Sequence, residues 1–281
     1  MRGAALVCGA APLYIGLMKK WIPFVKSAPR VSVVRLNGAI MTRQGGLNDQ
    51  SMASAIERAF KRGKPDAVAL SINSPGGSPV QSSLIAARIR RLAAENDIPV
   101  YAFVEDVAAS GGYWLACAAD KIYVDQSSIV GSIGVISAGF GFDKLIEKHG
   151  VERRVYTAGK SKSQMDPFKP ENAADIKRIK SLQADIHDAF VAHVRSSREG
   201  RLSTDTELFD GSFWTGAAGV SLGLADGIGH LVPMMKDVYG DKVQLAVYGP
   251  KKPLLSRFGA QLSAAFTSSV EEHALWARFG L

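Results

Sequence analysis

Short apolar segments rich in β-branched residues alternate with amphipathic segments along most of this chain. Strand-like segments lie at residues 31–36, 67–72 and 99–104, and apolar side chains recur at helical spacing between them, in residues 48–62 and 84–92. Strands that alternate with helices of about 10–15 residues favour βα units, in which neighbouring strands run parallel and helices cover the sheet. The alternation therefore predicts an α/β fold with a largely parallel sheet.

The same pattern continues through the second half of the chain. Further helices are predicted at residues 111–119, 142–149, 173–197 and 216–224. Further strands are predicted at residues 121–124, 133–136 and 154–156. The segment from Tyr248 onward is weakly patterned.

Charge and cysteine content exclude several classes of function. The 281 residues carry a formal net charge of +8, but the basic residues form short, scattered groups that do not interleave with aromatic side chains. We therefore expect solvated faces with a weak preference for a membrane surface, and no nucleic-acid partner. Two cysteines, Cys8 and Cys117, form neither a disulfide framework nor a four-ligand zinc site.

The N-terminal segment allows three interpretations. Residues 3–17 contain no charged side chain and precede the basic pair at 19–20, but they are fewer than the roughly 20 apolar residues of a spanning helix. They fit the apolar core of a signal peptide or signal anchor. They also fit a short interfacial segment that ends near Trp21 and Phe24, or an upstream stretch before a true start at Met18.

Two nucleotide-binding patterns fail on single positions. Residues 158–161 look like the end of a phosphate-binding loop, but Arg154 stands where that loop needs its first glycine. Residues 139–141 begin a dinucleotide fingerprint, yet Lys144 occupies the third glycine position. We therefore expect no nucleotide cofactor.

Histidine chemistry is not predicted either. His187 and His193 lie six residues apart on one predicted helix, which places them on poorly matched faces for a shared metal ion. No histidine lies in a glycine-rich segment, so the sequence supports neither a metal site nor a Ser–His pair.

A glycine pair follows the second predicted strand, in Ser74-Pro75-Gly76-Gly77. Open α/β sheets bind ligands at the carboxyl ends of their parallel strands. Consecutive glycines allow backbone N–H groups to point outward without a Cβ clash, which suits the binding of an oxyanion. The alternative is a plain tight turn.

A serine stands at a second strand-to-helix corner, within residues 108–114. Ser110 is there either a nucleophile at the start of a helix or an ordinary N-cap serine. A nucleophile needs a base, and a lysine serves where burial and neighbouring groups keep its amine neutral. Lys160, Lys162 and Lys169 are the downstream candidates, and spacing alone does not choose among them.

Together these segments resemble the signal peptide peptidase A family (SppA), Ser–Lys peptidases of the ClpP/crotonase-like superfamily, in its short single-domain form. The matching motifs follow in the family's order at residues 74–77, 109–113, 120–122, 131–135, 213–216 and 222–226. The resemblance implies an α/β fold with a repeated ββα spiral core, mostly parallel sheets and flanking helices. It divides the chain into an apolar and basic segment at 1–28, a peptidase domain at 29–240 and a tail at 241–281.

The resemblance also implies the roles of the site residues. Ser110 is the nucleophile and Lys162 the general base, with Lys160 as the alternative base. Ser132 matches the position whose hydroxyl orients the lysine amine.

The oxyanion N–H groups are implied in the same way. They belong to Gly77 and Gly111, and Gly76 shapes the turn. No cofactor and no metal is implied.

The implied activity is that of a serine endopeptidase acting on unfolded or membrane-released peptides, including remnant signal peptides, with small apolar side chains near the cut. In short-form relatives the serine and the lysine of one site come from neighbouring protomers of a ring, so we expect a homo-oligomer with a shared dyad. The expected location is the bacterial inner membrane, through peripheral contact, or the solution next to it. Two alternatives stay open: a catalytically silent scaffold or binding member of the fold, and a crotonase-type enzyme acting on a coenzyme A thioester.

Overall fold

A single eight-stranded sheet forms the centre of the fold in the computed structural model, which describes residues 28–42, 46–159, 161–250 and 272–281. The strands are β1 (Arg30–Asn37), β2 (Ala67–Ser74), β3 (Val100–Ala109), β4 (Lys121–Val124), β5 (Ile129–Gly131), β6 (Phe213–Thr215), β7 (Gly227–Ile228) and β8 (Gln244–Tyr248). The helices are α1 (Asp49–Lys61), α2 (Pro79–Asn96), α3 (Gly111–Ala116), α4 (Asp143–Lys148), α5 (Ala173–Ser197), α6 (Gly216–Ser221), α7 (Leu231–Tyr239) and a short helix over residues 272–277.

The sheet is largely parallel, as the alternation predicted. The strand order is β6-β5-β3-β2-β1-β8, with β4 paired to β3 and β7 paired to β4. All these pairings are parallel except that of β5 with β6. Strands β2 and β3 stay paired as far as Ser74 and Ala108, after a register shift beyond Ile72. Their carboxyl ends therefore meet at the two glycine-rich segments.

Helices cover both faces of the sheet. On one face, α1 and α2 bury apolar side chains such as Ile56, Phe60 and Ile89 against β1 to β3. On the other face, Met235 of α7 packs in a smaller cluster that includes Phe103. Burial on both faces explains why β2 has the continuous apolar sequence that is typical of parallel strands.

Two predicted strands are wrong. Residues 133–136 form no strand, because Ser132 has a positive φ of 52° and the Gly134 N–H donates to the Ser132 carbonyl at 3.0 Å, which turns the chain. The strand of this region is β5, which comes just before that turn and was not predicted. Residues 154–156 are exposed and pair with no strand among the described residues, so they form no strand despite their apolar pattern.

The predicted tail at 241–281 also differs from expectation. Strand β8 lies within it and pairs in parallel with β1 at the edge of the sheet, so the sheet extends past residue 240. The predicted helices at 111–119 and 216–224 end earlier, at Ala116 and Ser221.

The three interpretations of the N-terminal segment stay predictions. Residues 1–27 lie outside the described part of the chain. Within the described ranges, no helix combines the length and the apolar character of a membrane span.

Candidate active site

The turn after β2 is held in a conformation that requires glycine. Gly76 and Gly77 have φ values of 96° and 139°, in the region that side chains rarely adopt. A Cβ atom on Gly77 would collide with the carbonyl oxygen of Ile40. The same residue fixes the turn, because the Ile40 N–H donates to the Gly76 carbonyl at 2.8 Å and its carbonyl accepts from the Ser78 N–H at 2.7 Å. Neither Gly76 nor Gly77 could therefore be replaced by a residue with a side chain without disturbing the turn.

Ser110 follows β3 directly and has an unusual backbone. Its φ and ψ are 52° and −121°, and it occupies the N-cap position of α3 without any side-chain cap hydrogen bond. Its N–H donates to the Gly131 carbonyl at 2.8 Å, and its carbonyl accepts from the Trp114 N–H at 3.0 Å. The N-cap interpretation is therefore wrong: the hydroxyl caps nothing, and strain of this kind at a strand-to-helix corner is typical of an exposed nucleophile.

The two glycine-rich segments approach each other closely. A Cβ atom on Gly76 would lie 2.8 Å from the Gly111 nitrogen, and one on Gly111 would lie 3.4 Å from the Gly77 nitrogen. Within the described ranges, neither the Gly77 N–H nor the Gly111 N–H has a hydrogen-bond acceptor. Two unpaired donors thus lie next to Ser110, the arrangement that an oxyanion needs.

A cavity of about 420 Å³ opens beside these residues. It is lined by Ser110, Gly77, Gly111 and Ser132, four of the residues singled out in the sequence. Its apolar wall consists of side chains from α3, the segment after β5 and α5: Trp114, Val135, Ile136, Ile186 and Phe190. The cavity can therefore accept an apolar side chain next to the serine hydroxyl.

Ser132 lies at the end of β5, on the border of this cavity. The residue is buried, its φ is 52°, and its N–H donates to the Ser212 carbonyl at 2.7 Å. Its backbone is thus fixed by the neighbouring segment before β6.

The candidate lysines lie elsewhere. Lys162 is exposed in the turn after Gly159 and does not line the cavity of Ser110. Lys169 is also exposed, and its Nζ donates to the Ser163 hydroxyl at 3.2 Å. Lys160 lies outside the described residues. Within one chain, the structure therefore brings together the serine, the glycines and Ser132, but not Lys162.

Two histidines for which the sequence analysis predicted no chemistry lie close to the site. The ring of His193 stacks on Trp114 with centroids 4.9 Å apart, and burial lowers the pKa of His193. The Nε2 atom of His187 lies 3.2 Å from the Ile133 carbonyl. No local pattern reveals these contacts, since they join α5 to segments more than fifty residues away in sequence. The apolar spacing of Phe190 and Val194 was the one available signal for the buried face of α5.

The closing motif at 222–226 has a structural role. Asp226 accepts from the Arg198 guanidinium and from the Ile122 N–H, both at 2.7 Å, and from Arg201 at 3.1 Å. Burial raises the pKa of Asp226, but these hydrogen bonds and the two positive charges outweigh it and hold that pKa below its usual value. The Arg198 side chain is only 1% exposed, so this carboxylate neutralises a buried charge.

Comparison with known proteins identifies the family. The family model described as Peptidase family S49 matches residues 93–241. The chain is 49% identical over 290 aligned residues to a protein of Brucella melitensis named Na(+)/H(+) antiporter NhaA, covering 95% of this chain and 39% of that protein. It is 32% identical over 229 residues to the chloroplastic serine protease SPPA of Arabidopsis thaliana, covering 78% of this chain and 33% of that protein. The chain thus spans well under half the length of either relative.

A solved structure supports the fold. A membrane-bound stomatin-specific protease, determined as a mutant in complex with a substrate peptide, superimposes with a TM-score of 0.52 at 15% identity, covering 87% of this chain and 99% of that one. At this identity the match concerns the fold alone, and it agrees with the expected ClpP-like α/β architecture. The family match covers more than half of the chain and includes Ser110. The chain therefore belongs to peptidase family S49, the family of SppA.

Proposed function

We propose that this chain is a serine endopeptidase that cleaves peptide bonds by acyl transfer, with Ser110 as the nucleophile. The observation that carries the proposal is the uncapped hydroxyl of Ser110 at a strained corner, beside the unpaired N–H groups of Gly77 and Gly111. Family membership supports the same chemistry.

The reaction follows from these groups. The neutral amine of Lys162 takes the proton of the Ser110 hydroxyl while the oxygen attacks the peptide carbonyl carbon. The resulting oxyanion accepts hydrogen bonds from Gly77 and Gly111. The protonated lysine then gives its proton to the leaving amine as the C–N bond breaks. Water hydrolyses the acyl-enzyme, releases the new carboxyl terminus and restores the hydroxyl.

The lysine comes from a second copy of the chain in this proposal. Lys162 is exposed and does not border the cavity of its own Ser110. The surrounding segment carries many exposed apolar side chains: Ile136, Phe140, Phe142, Leu145, Val151, Val155, Tyr156 and Met165. Apolar surface of this extent is typical of a protein interface. Packing of this segment against a neighbour in a closed ring buries it and brings Lys162 to the neighbour's Ser132 and Ser110.

The cavity favours peptides with small apolar side chains next to the cleaved bond. Its wall includes Trp114, Ile136 and Phe190. A bound peptide would have to fit both its backbone and the side chain next to the cleaved bond into about 420 Å³, which favours a small side chain. We propose unfolded or membrane-released peptides as substrates, remnant signal peptides among them. The enzyme acts at the bacterial inner membrane through peripheral contact, or in solution next to it.

A mixing experiment tests both the nucleophile and the shared dyad. Ser110→Ala and Lys162→Ala proteins are assayed separately and after being unfolded and refolded together, with a fluorogenic peptide that carries small apolar residues. Each variant alone is expected to be inactive. The mixture regains about one quarter of the wild-type activity, because random assembly places an intact serine beside an intact lysine at that fraction of interfaces.

The matched control is Lys177→Ala, which removes an exposed lysine of α5 and keeps full activity. If the Ser110→Ala protein is active, the assignment of Ser110 as the nucleophile is contradicted. A mixture that stays inactive, although the variants assemble together, contradicts the shared dyad. A wild-type ring that cleaves nothing favours a scaffold, and one that hydrolyses a coenzyme A thioester favours crotonase chemistry.

A further inference from the structure

Helix α5 contacts two segments of the site, α3 and the turn that follows Ser132, each through a histidine. The Nε2 atom of His193 lies 3.0 Å from the Trp114 carbonyl, and the Nε2 atom of His187 lies 3.2 Å from the Ile133 carbonyl. Between them, Phe190 stacks on Trp114 with centroids 4.8 Å apart and lines the cavity. One helix face thus touches the helix that follows the serine and the turn that follows Ser132.

Both carbonyls need a donor from outside their own segment. Trp114 lies in the last turn of α3, where helix carbonyls lose their intrahelical partners. The Ala118 N–H donates to Leu115 instead, and within the described ranges no backbone N–H donates to Trp114 or to Ile133. A buried carbonyl without a donor is costly, so each histidine satisfies a group that the local turn leaves open.

These hydrogen bonds fix the proton on each ring. A carbonyl oxygen only accepts, so the Nε2 atoms of His187 and His193 carry the hydrogen and donate it. Neither Nε2 atom is therefore free to take a proton from Ser110.

We propose that His193 and His187 are positioning residues, which hold the nucleophile corner and the Ser132 turn in their reactive arrangement. The link from His193 passes through one residue, because Trp114 accepts from the His193 ring with its carbonyl and donates its own N–H to the Ser110 carbonyl at 3.0 Å. His187 is linked to Ser132 through one residue as well, because the Ile133 carbonyl that accepts from His187 belongs to the residue after Ser132. The proposal rests on the proposed role of Ser110.

Burial around His193 is consistent with this role. Desolvation lowers the pKa of His193 more than the hydrogen bond to Trp114 raises it, so burial favours the neutral form of the ring. The His193 ring, on α5, stacks on the Trp114 indole of α3 and hydrogen-bonds the Trp114 carbonyl through Nε2, so it contacts Trp114 through both its face and its edge.

The test compares two substitutions at each histidine. His193→Phe keeps a stacking ring and removes the donor, whereas His193→Gln keeps an amide N–H donor and removes the ring. We expect His193→Phe to lower kcat about 10-fold with KM within about 2-fold, and His193→Gln to retain most of the activity. His187→Phe and His187→Gln are expected to differ in the same sense. His230→Gln, at an exposed histidine beside Asp125, serves as the control with wild-type kinetics.

Rates are expressed per reactive serine, titrated with a fluorophosphonate probe, so that misfolded protein does not count. Equal rates per site for wild type, His193→Phe and His187→Phe overturn the proposal, as does a loss with His193→Gln as large as that with His193→Phe. If His193→Phe does not fold, the two His187 variants decide by the same criteria. Failure of the wild-type ring to cleave the peptide contradicts the proposed function instead, and is therefore distinguishable.

Discussion

Removal of the Asp226 carboxylate is the change whose effect on folding follows most directly from the structure. The partner of that carboxylate, Arg198, is 1% exposed, and its guanidinium donates at 2.9 Å to the Gly223 carbonyl and at 2.7 Å to Asp226. In Asp226→Ala the Arg198 guanidinium keeps its hydrogen bond to the Gly223 carbonyl but loses the negative charge that neutralises it. Arg201 is 42% exposed and can turn into water, so it adds little to the cost.

The magnitude follows from burial. Removing one partner of a buried ion pair costs about 3–5 kcal/mol, because an uncompensated charge stays in the interior. Domains of this kind have a total stability of about 5–15 kcal/mol, so the loss is a large part of it. At about 2–4 °C per kcal/mol for a domain of 150–250 residues, Tm falls by roughly 10 °C.

The assay is equilibrium unfolding in urea, followed by tryptophan fluorescence. Asp237→Ala, at an exposed position of α7, is the matched control and changes stability by less than about 0.5 kcal/mol. The double variant Arg198→Met with Asp226→Ala is expected to be more stable than Asp226→Ala, since it removes both charges. A free energy of unfolding for Asp226→Ala within about 1 kcal/mol of wild type would refute the reasoning.

Three further predictions concern acid stability, the oxyanion turn and the buried thiol. Because the pKa of Asp226 is lower in the folded state than in the unfolded state, its contribution is complete above about pH 4 and disappears as pH falls further, so the stability gap between wild type and Asp226→Ala narrows in acid unfolding curves. Gly77→Ala is expected to lower kcat/KM at least about 100-fold because the Cβ displaces the oxyanion N–H, whereas Gly200→Ala, also at positive φ but in open space, leaves kcat/KM unchanged; equal kinetics for the two variants contradict the assignment. Burial raises the pKa of the Cys117 thiol to about 12, so in a Cys8→Ser background a thiol reagent at pH 8 labels the unfolded chain and not the native one; rapid native labelling would contradict that burial.

Local signals predicted α1 to α6, but they did not predict α7 or the short helix at 272–277. The Asn48 capping box begins α1 where the apolar spacing began, and the long amphipathic pattern coincides with α5 over Ala173–Ser197. Strand β8 escaped prediction because it is a short edge strand whose partner, β1, lies more than two hundred residues earlier, so its own half-exposed sequence carries little pattern.

The candidate site also has parts that the sequence could predict and parts that it could not. The meeting of Gly77 with Ser110 could be expected from the sequence, since parallel strands bring their carboxyl ends to one edge. The placement of His193 on Trp114 could not, because it depends on how α5 packs over α3. The role of Lys162 stays a prediction, since a residue supplied by a neighbouring copy leaves no trace in the packing of one chain.

The most direct measurement of the central claim is the site of covalent labelling by a serine-directed fluorophosphonate. The assembled wild-type protein is treated with the probe, digested and analysed by mass spectrometry, and the loss of peptidase activity is followed in parallel. The account predicts one modified residue, Ser110, with labelling and inactivation proceeding at the same rate. Inactivation with label on another serine, or peptide cleavage that persists after complete labelling of Ser110, would contradict it.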